Sequence, residues 1–274
     1  MADLNGDNKI DLAVSNTSNT ITVFLNTGVS FTTANYTTGI QGSAIAAGDI
    51  SGDGKPDLVV GQANGATVLA MLNNAAGTGV FTAGPSRAVA GTVADVALTD
   101  LNGDGKLDLV SVNGSTNNVS LALAMGAGMF AAPTNIAVGT TPSGVVVTDL
   151  DGDKFADIIV SNNASSNVSV LLGNGTGGAA SAVNTSLGTN RPDSIWVADL
   201  DGDAQPDIVT SNGTNSNLSF LRRSSAIQYT VSAYATGTTP SGITVADFNK
   251  DGFPDIAVTA SGSSQAQVYL STCK

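Results

Sequence analysis

The sequence contains no histidine, no glutamate and a single cysteine among its 274 residues. Zinc centres use His or Cys ligands, so these absences exclude an ordinary zinc site. One thiol cannot form an internal disulfide, and we interpret Cys273 as an incidental free thiol. General acid–base catalysis usually needs His, Glu or an unpaired Asp in a cleft. The composition therefore predicts a protein that is not an enzyme.

Long apolar runs and basic residues are also scarce. No stretch of about 18 apolar residues occurs, so neither a membrane span nor membrane insertion is predicted. The first ten residues, MADLNGDNKI, have neither the basic start nor the apolar centre of a signal peptide. Only 10 Lys and Arg stand against 22 acidic residues, giving a net charge of −12. This balance predicts no nucleic-acid partner and no anionic membrane partner.

The acidity is confined to a repeated motif. Of the 22 acidic residues, all Asp, only Asp95 and Asp193 lie outside six copies of one nine-residue pattern. Successive copies start 46, 51, 49, 50 and 48 residues apart, and a regular period in this range indicates a repeat architecture. The copies are DLNGDNKID (3–11), DISGDGKPD (49–57), DLNGDGKLD (100–108), DLDGDKFAD (149–157), DLDGDAQPD (199–207) and DFNKDGFPD (247–255).

Each repeat also contains four short segments with strand character. An apolar run such as SGVVVTDL (143–150) precedes the motif, and DIIVSN (157–162) follows it. After a polar turn comes an alternating run such as NVSVLLG (167–173). The fourth segment often begins at an aromatic residue, as at Phe31, Phe81, Phe130 and Tyr229. Runs rich in Val, Ile and Leu between Gly and Asn predict strands.

Four antiparallel strands in each repeat predict the blades of a β-propeller. We therefore expect an all-β fold of six four-stranded antiparallel blades in one domain, residues 1–274. A linear β-solenoid is the alternative, although its repeats are usually nearer one short coil in length. Met1 lies two residues before the first motif, and the last repeat ends at AQVYLSTCK (266–274). We expect an incomplete blade at the seam, where the first and last repeats would meet; the alternative is part of a seven-bladed propeller.

The recurring pattern D-x-[DNS]-G-D-x-x-x-D resembles the FG-GAP repeats, also called VCBS-type repeats, of integrin α-subunit propellers and many bacterial surface proteins. The resemblance covers nearly the whole chain. It implies a propeller in which the loop between the first and second strands of each blade carries calcium.

The motif itself has the chemistry of a calcium loop. Calcium accepts six to eight oxygen ligands in flexible geometry, whereas magnesium demands a stricter octahedron. A metal-free turn would explain one Asp, but not three or four in register in six places. We predict up to six Ca²⁺, bound by side chains at positions 1, 3, 5 and 9 and by the backbone carbonyl at position 7. The predicted ligands are Asp3, Asn5, Asp7, Lys9, Asp11; Asp49, Ser51, Asp53, Lys55, Asp57; Asp100, Asn102, Asp104, Lys106, Asp108; Asp149, Asp151, Asp153, Phe155, Asp157; Asp199, Asp201, Asp203, Gln205, Asp207; and Asp247, Asn249, Asp251, Phe253, Asp255.

The loops are not equivalent. Gly at position 4 or 6 allows the sharp bend that such a loop needs. Lys154 and Ala204 occupy position 6, and Lys250 occupies position 4. We expect the first loop, next to the terminus, to be the weakest.

The leading functional hypothesis is an extracellular or cell-surface binding or adhesion module stabilised by calcium. Extracellular calcium modules bind at about 10⁻⁴–10⁻³ M, and the cytosol holds far too little free calcium to fill such sites. In an antiparallel blade the calcium loops share one face. The opposite face, which we expect to bind a protein or glycan, carries the polar turns SNTSNT (15–20), NGSTNN (113–118), NNASSN (162–167) and NGTNSN (212–217).

Two other functions stay open. The chain could be a structural spacer or assembly subunit that self-associates at the seam. It could also be a carbohydrate-active enzyme module, for which Asp193 and Arg191, close to Trp196, form the one candidate cluster. The simpler interpretation of that cluster is a turn residue followed by an aromatic residue packed between blades.

Overall fold

A computed structural model describes residues 1–74, 76, 78–225 and 227–271. Cys273 therefore lies outside the described residues. The described part is all-β, with one short 3₁₀ turn at Ser261–Ser263. None of its elements is a helix long and apolar enough to cross a membrane. The predicted fold class is confirmed: six antiparallel sheets follow one another along the chain as the blades of a β-propeller.

The chain divides into two compact units, and the first contains residues 1–137 and 173–179. It holds blades 1 to 3, each a meander of neighbouring strands. Blade 1 has β1 (Leu12–Asn16), β2 (Thr20–Asn26) and β3 (Phe31–Thr37). Blade 2 has β4 (Gly42–Gly48), β5 (Asp57–Gln62), β6 (Thr67–Asn73) and β7 (Phe81–Ala88). Blade 3 has β8 (Val93–Thr99), β9 (Asp108–Asn113), β10 (Asn118–Ala122) and β13 (Thr134–Ala137), with a hairpin of β11 (Ala124–Gly126) and β12 (Met129–Phe130) before its last strand.

The second unit contains residues 138–172 and 180–274 and holds blades 4 to 6. Blade 4 has β14 (Pro142–Thr148), β15 (Asp157–Asn162), β16 (Asn167–Leu171) and β17 (Val183–Ser186). Blade 5 has β18 (Ser194–Ala198), β19 (Asp207–Asn212), β20 (Asn217–Ser225) and β21 (Gln228–Ala235). Blade 6 has β22 (Pro240–Ala246), β23 (Asp255–Ala260) and β24 (Gln265–Tyr269).

In blades 2 to 6 the second strand is the most buried element. Every residue of β9, β15 and β19 is buried, because these strands are central in their sheets and are covered on both faces. This double burial explains the adjacent Val, Ile and Leu at the start of each strand, and buried polar residues at its other end, such as Ser111, Asn162 and Thr210, are hydrogen-bonded to their neighbours. Within the second unit, neighbouring blades pack through apolar clusters: Ile208 joins the cluster with blade 4, whereas the next residue, Val209, joins the cluster with blade 6. Successive side chains of a strand point to opposite faces of the sheet, so one strand contributes apolar side chains to the contacts with both neighbouring blades.

The first and last blades have three strands each among the described residues. Blade 1 lacks the innermost strand, of which the isolated bridge between Ala2 and Asp11 is the only trace described. Up to residue 271, where the described part ends, blade 6 has no fourth strand. These are the two gaps that the repeat boundaries in the sequence predict.

Candidate metal centres

The first Asp of each motif organises its loop. In the third loop, Oδ1 of Asp100 accepts the backbone N–H of Gly103 at 2.7 Å, and Oδ2 accepts that of Gly105 at 2.7 Å. The same bond from the position 6 N–H to Oδ2 of position 1 occurs in all six loops, at 2.7–2.9 Å. The backbone therefore wraps around the carboxylate that the sequence predicts as the first ligand.

The next carboxylate is held in the same way. Oδ1 of Asp104 accepts the N–H of Lys106 at 2.9 Å, and the other five loops repeat this contact between positions 5 and 7. At position 3, Oδ1 of Asn102 accepts the N–H of Asp104 at 3.0 Å. A carboxylate or amide oxygen has two lone pairs, so Oδ1 of Asp104 and Oδ1 of Asn102 each keep acceptor capacity for a cation after this one bond. Oδ1 of Asp100, by contrast, accepts three N–H groups.

Both bends of the loop are left-handed. Position 4 has φ +76° at Gly103 and +63° at Lys250, and position 6 has φ +80° at Gly105, +76° at Lys154 and +64° at Ala204. The expected sharp bends at positions 4 and 6, which suit Gly, are present in the backbone. The non-glycine residues adopt this left-handed conformation despite its cost of about 1–2 kcal/mol.

The Asp at position 9 has a second role that the sequence analysis missed. Asp108 is 0% exposed; its Oδ2 accepts the N–H of Leu101 at 2.9 Å and its Oδ1 accepts the N–H of Ala124 at 2.7 Å. It thus ties the loop to the end of the third-strand segment of its own blade. Asp11, Asp57, Asp207 and Asp255 make the same two contacts. The nearly constant distance along the chain from this Asp to the end of that segment, 15 or 16 residues, is the only sequence signal of this role.

Burial also changes the acidity of these residues. Desolvation raises the pKa of Asp57, Asp108 and Asp207, and the backbone N–H groups that donate to these carboxylates oppose that rise. A cation beside them would favour the charged form.

Two loops bring their carboxylates closest together. Asp149, Asp151 and Asp153 each place one oxygen within 4.8 Å of the others, and so do Asp199, Asp201 and Asp207. These are the two loops with a fourth Asp, at position 3. Their donor set consists of oxygen atoms alone, which fits a hard divalent cation of the calcium type.

The first three loops contain their own cation. Nζ of Lys9 lies 2.8 Å from Oδ2 of Asp7, and Lys106 makes the same pair with Asp104 at 3.1 Å. Lys55 is 3.7 Å from Asp53. The side-chain bond from Lys9 lowers the pKa of Asp7, and the N–H of Lys106 is the main cause of the lowered pKa of Asp104. In these loops the position 7 residue therefore contributes a positively charged side chain in addition to its backbone carbonyl.

Comparison with protein families gives the same repeat unit. An FG-GAP-like repeat model matches residues 3–60, 52–111, 100–160 and 149–210, and an FG-GAP repeat model matches residues 239–271. The chain belongs to the FG-GAP repeat family. No curated protein matches this FG-GAP chain at a significant level.

Solved structures show the same fold at low identity. A functionally unknown protein from Desulfotomaculum acetoxidans DSM 771 has a TM-score of 0.66 and 15% identity, over 94% of this chain and 78% of that one. An Agrocybe aegerita lectin described as recognising non-reducing terminal N-acetylglucosamine has a TM-score of 0.62 and 21% identity, over 94% and 73%. Virginiamycin B lyase from Staphylococcus aureus has a TM-score of 0.64 and 13% identity, over 93% and 75%.

The polar turns of this FG-GAP chain are less available than their sequence suggests. Asn113 is 0% exposed, and its Nδ2 donates to Oδ1 of Asn118 at 2.7 Å and to Oγ of Ser120 at 2.8 Å. Asn162 and Asn212 are equally buried and repeat this pattern. The first Asn side chain of each of these turns therefore makes hydrogen bonds within its own blade, and the residues that follow it remain candidates for contact with a ligand.

The cluster around Asp193 fits the simpler interpretation in part. Its Oδ1 accepts Nδ2 of Asn163 at 2.7 Å and its Oδ2 accepts the N–H of Gly213 at 2.7 Å. Arg191 donates its Nε–H to the carbonyl oxygen of Asn163 at 3.3 Å. Asp193 thus clamps two turns together. Trp196 is 38% exposed, so it is only partly covered by its neighbours.

Proposed function

We propose that this chain is an extracellular or cell-surface FG-GAP propeller that calcium stabilises and that binds a protein or a glycan. The observation that carries the proposal is the arrangement of the six loops. In each, backbone N–H groups hold the Asp side chains of positions 1 and 5 in one tight turn. Like charges held so close oppose folding unless a cation lies among them.

The ion would be held by the side chains at positions 1, 3, 5 and 9 and by the carbonyl at position 7. It would supply positive charge: six Ca²⁺ add +12 to a chain whose net charge is −12. Loops 4 and 5 should bind most tightly, because each has four Asp and no Lys at position 7. In loops 1 to 3 the Lys side chain already neutralises part of the charge.

The extracellular location rests on the same chemistry. Sites of extracellular modules bind calcium at about 10⁻⁴–10⁻³ M, and free calcium of that order is found outside the cytosol. The charge also argues against nucleic acid as a partner, since nucleic-acid binding depends on Lys and Arg contacts to phosphate.

The ligand would lie on the face opposite the calcium loops, where the turns between second and third strands meet the solvent. The fold shared with a lectin that recognises N-acetylglucosamine supports a glycan as one ligand class. A non-enzymatic role is part of the proposal. A histidine-to-alanine variant of the lyase neighbour is described as catalytically inactive, and this chain has no histidine.

Calorimetric titration of the metal-free chain with CaCl₂ tests the metal part. We expect binding of several ions, with heats that Asp151→Asn and Asp201→Asn reduce selectively; MgCl₂ should compete poorly. No heat at millimolar calcium would contradict it.

The binding part is tested separately on a glycan array with the calcium-loaded chain. Retention of defined glycans, lost in chelator, would support a glycan-binding module. If the array gave no calcium-dependent signal, glycans would be excluded as the ligand class and a protein would remain as the proposed ligand.

A further inference from the structure

One position in the repeat connects neighbouring Asp loops. It is the residue at the end of the third-strand segment whose backbone N–H donates to Oδ1 of the position 9 Asp, and we call it the bridge residue. In blade 2 it is Asn73, which donates to Asp57 at 2.8 Å, and in blade 5 it is Arg223, which donates to Asp207 at 2.8 Å. The backbone of the bridge residue is therefore attached to the loop of its own blade.

The side chain of the bridge residue reaches the loop of the preceding blade. Nδ2 of Asn73 donates to the carbonyl oxygen of Leu4, at position 2 of loop 1, at 2.8 Å. Nη1 of Arg223 donates to the carbonyl oxygen of Leu150, at position 2 of loop 4. The same bridge thus occurs in both compact units, made by an amide in the first and by a guanidinium in the second.

The peptide that accepts the bridge is itself tied to a predicted metal ligand. The N–H of Leu150 donates to Oδ2 of Asp157 at 2.8 Å, and the N–H of Leu4 donates to Oδ2 of Asp11 at 2.8 Å. Both Asp residues are at position 9 of their loops. A continuous series of hydrogen bonds therefore runs from the position 9 Asp of one loop, through a Leu residue and the bridge residue, to the position 9 Asp of the next loop.

The bridge is shielded from solvent. Asn73 is 6% exposed, and Leu4 and Leu150 are buried. Nδ2 of Asn73 also donates to the carbonyl oxygen of Pro56, within loop 2, at 3.1 Å. Buried hydrogen bonds are strong and costly to leave unmade, so a displacement in one loop is passed to its neighbour.

Blade 3 makes the corresponding contact without a side chain. Its bridge residue is Ala124, whose N–H donates to Asp108 at 2.7 Å but whose side chain has no polar atom. The N–H of Gly128, in the hairpin of β11 and β12, donates instead to the carbonyl oxygen of Ile50, at position 2 of loop 2, at 3.0 Å. The position 2 carbonyl is thus a recurring contact with the next blade, and a single substitution can remove that contact where a bridge side chain makes it.

We propose that Arg223 is a positioning residue that couples loops 4 and 5, so that calcium binding at one loop strengthens calcium binding at the other. The proposal rests on the proposed function, in which these two loops bind most tightly. With loop 5 occupied, Asp207 is held in place, and with it Arg223; Arg223 in turn holds Leu150, to which Asp157 is bonded. The second loop is then already ordered, and a ligand that pays less ordering entropy binds more tightly.

Repulsion between two bound ions acts in the opposite direction. The Asp side chains at positions 3 and 5 are exposed in both loops, so dissolved salt screens this repulsion. The bridge is buried and is screened much less. We therefore expect the ordering effect to prevail, with a coupling of about fivefold or more at physiological ionic strength.

Titration of the full chain with CaCl₂, followed by nuclear magnetic resonance, tests the coupling. The backbone amides of Gly152 and Gly202 report loops 4 and 5 separately. Loop 5 is disabled by Asp201→Asn together with Asp203→Asn. The intact loop has four Asp, so its charge with one Ca²⁺ bound equals the charge of the disabled loop, and long-range charge effects on loop 4 are matched. Calcium binding at loop 4 should weaken about fivefold or more.

The reverse experiment must give the same factor, because coupling between two sites is reciprocal. Loop 4 is disabled by Asp151→Asn together with Asp153→Asn, and binding at loop 5 is measured. Unequal factors would show that the substitutions damage the neighbouring loop directly.

Three substitutions then assign the coupling to the bridge. Arg223→Met keeps the backbone N–H and the aliphatic part of the side chain, and should reduce the coupling to less than about twofold. Arg223→Asn copies the bridge residue of blade 2 and should retain the coupling, because an amide can donate the same bond. Arg222→Met is the matched control: it removes the same charge from the preceding, exposed residue of β20, whose side chain points to the other face of the sheet.

Circular dichroism melts should show that the variants keep the fold. Calcium binding at both loops without coupling, coupling that survives Arg223→Met, or equal loss in Arg222→Met would overturn the bridge and leave the proposed function intact. Equal loss in Arg223→Asn and Arg223→Met would overturn it too, because the donated hydrogen bond would not be the cause. No calcium binding at either loop at millimolar calcium would overturn the proposed metal sites and, with them, the coupling.

Discussion

At the scale of the residue, the six Asp loops combine conformational strain with satisfied hydrogen bonds. Ala204 has φ +64°, a backbone conformation that favours glycine. Its N–H nevertheless donates to the carboxylate of Asp199 at 2.9 Å, and Gly105 makes the same bond to Asp100 in the third loop. The loop therefore enforces the left-handed turn whatever the residue. Such strain costs about 1–2 kcal/mol for an L-residue.

Ala204→Gly should accordingly stabilise the chain, by up to about 1 kcal/mol, because relief of the strain exceeds the entropy that glycine loses on folding. Denaturant unfolding at fixed calcium measures the change. The same substitution at Ala34, an exposed position in β3, is the control and should destabilise by about 0.5–1 kcal/mol. Equal signs at the two positions would contradict the prediction.

Position 9 calls for a different test, because Asp108 joins the loop to the end of the third-strand segment of its blade. Asp108→Asn should destabilise the chain by about 2 kcal/mol even in chelator. Both carboxylate oxygens of Asp108 accept a backbone N–H in the native protein, and in the variant one of these N–H groups would face an amide NH₂ and lose its acceptor. Asp104→Asn is the control. It is more exposed and can keep its bond from the N–H of Lys106. Unfolding in chelator should separate the two variants, and similar losses would show that Asp108 has no structural role beyond the metal.

At the scale of the element, the sequence predicts the sheets and the loops well because their signals are local. The apolar runs and the Asp spacing fall within a few residues of the strands and turns that they form. The features that could not be predicted from the sequence depend on contacts with residues distant along the chain. The burial of Asn113, the exposure of Trp196 and the contact between Asp108 and Ala124 follow from which strands lie alongside, and no local pattern records that.

The six loops also differ as elements, and their affinities for calcium should follow their charge. Loop 3 has three Asp and Lys106, whereas loop 4 has four Asp and Phe155 at position 7. Lys106→Gln should therefore strengthen calcium binding at loop 3, and Asp151→Asn should weaken it at loop 4, each by about threefold to tenfold at low salt. Competition titrations with a calcium chelator dye measure both. Lys274→Gln, a lysine outside all six loops, should leave the affinities unchanged, and an equal effect there would point to overall charge instead.

At the scale of the whole molecule, we expect the stability of the fold to depend on repulsion among the carboxylates and on the binding of cations. The chain carries −12, and 20 of its 22 carboxylates lie in six short loops. Compact states are weakened by such repulsion, and salt screens it over about 10 Å at 0.1 M. Calcium bound as proposed would, in contrast, act at each loop individually and stabilise only the folded chain.

Removal of calcium should therefore destabilise the chain far more than a change of ionic strength restores. At roughly millimolar calcium and a dissociation constant of about 10⁻⁴ M, each site contributes about 1.4 kcal/mol, so six sites contribute on the order of 8 kcal/mol. That equals much of the 5–15 kcal/mol that usually holds a domain folded. Circular dichroism melts in calcium, in chelator, and in chelator with 0.5 M NaCl as a screening control should show a large drop in melting temperature and a partial recovery. Complete recovery in NaCl alone would mean that screening, and not site binding, stabilises the fold, and an unchanged melt in chelator would contradict any role of calcium in stability.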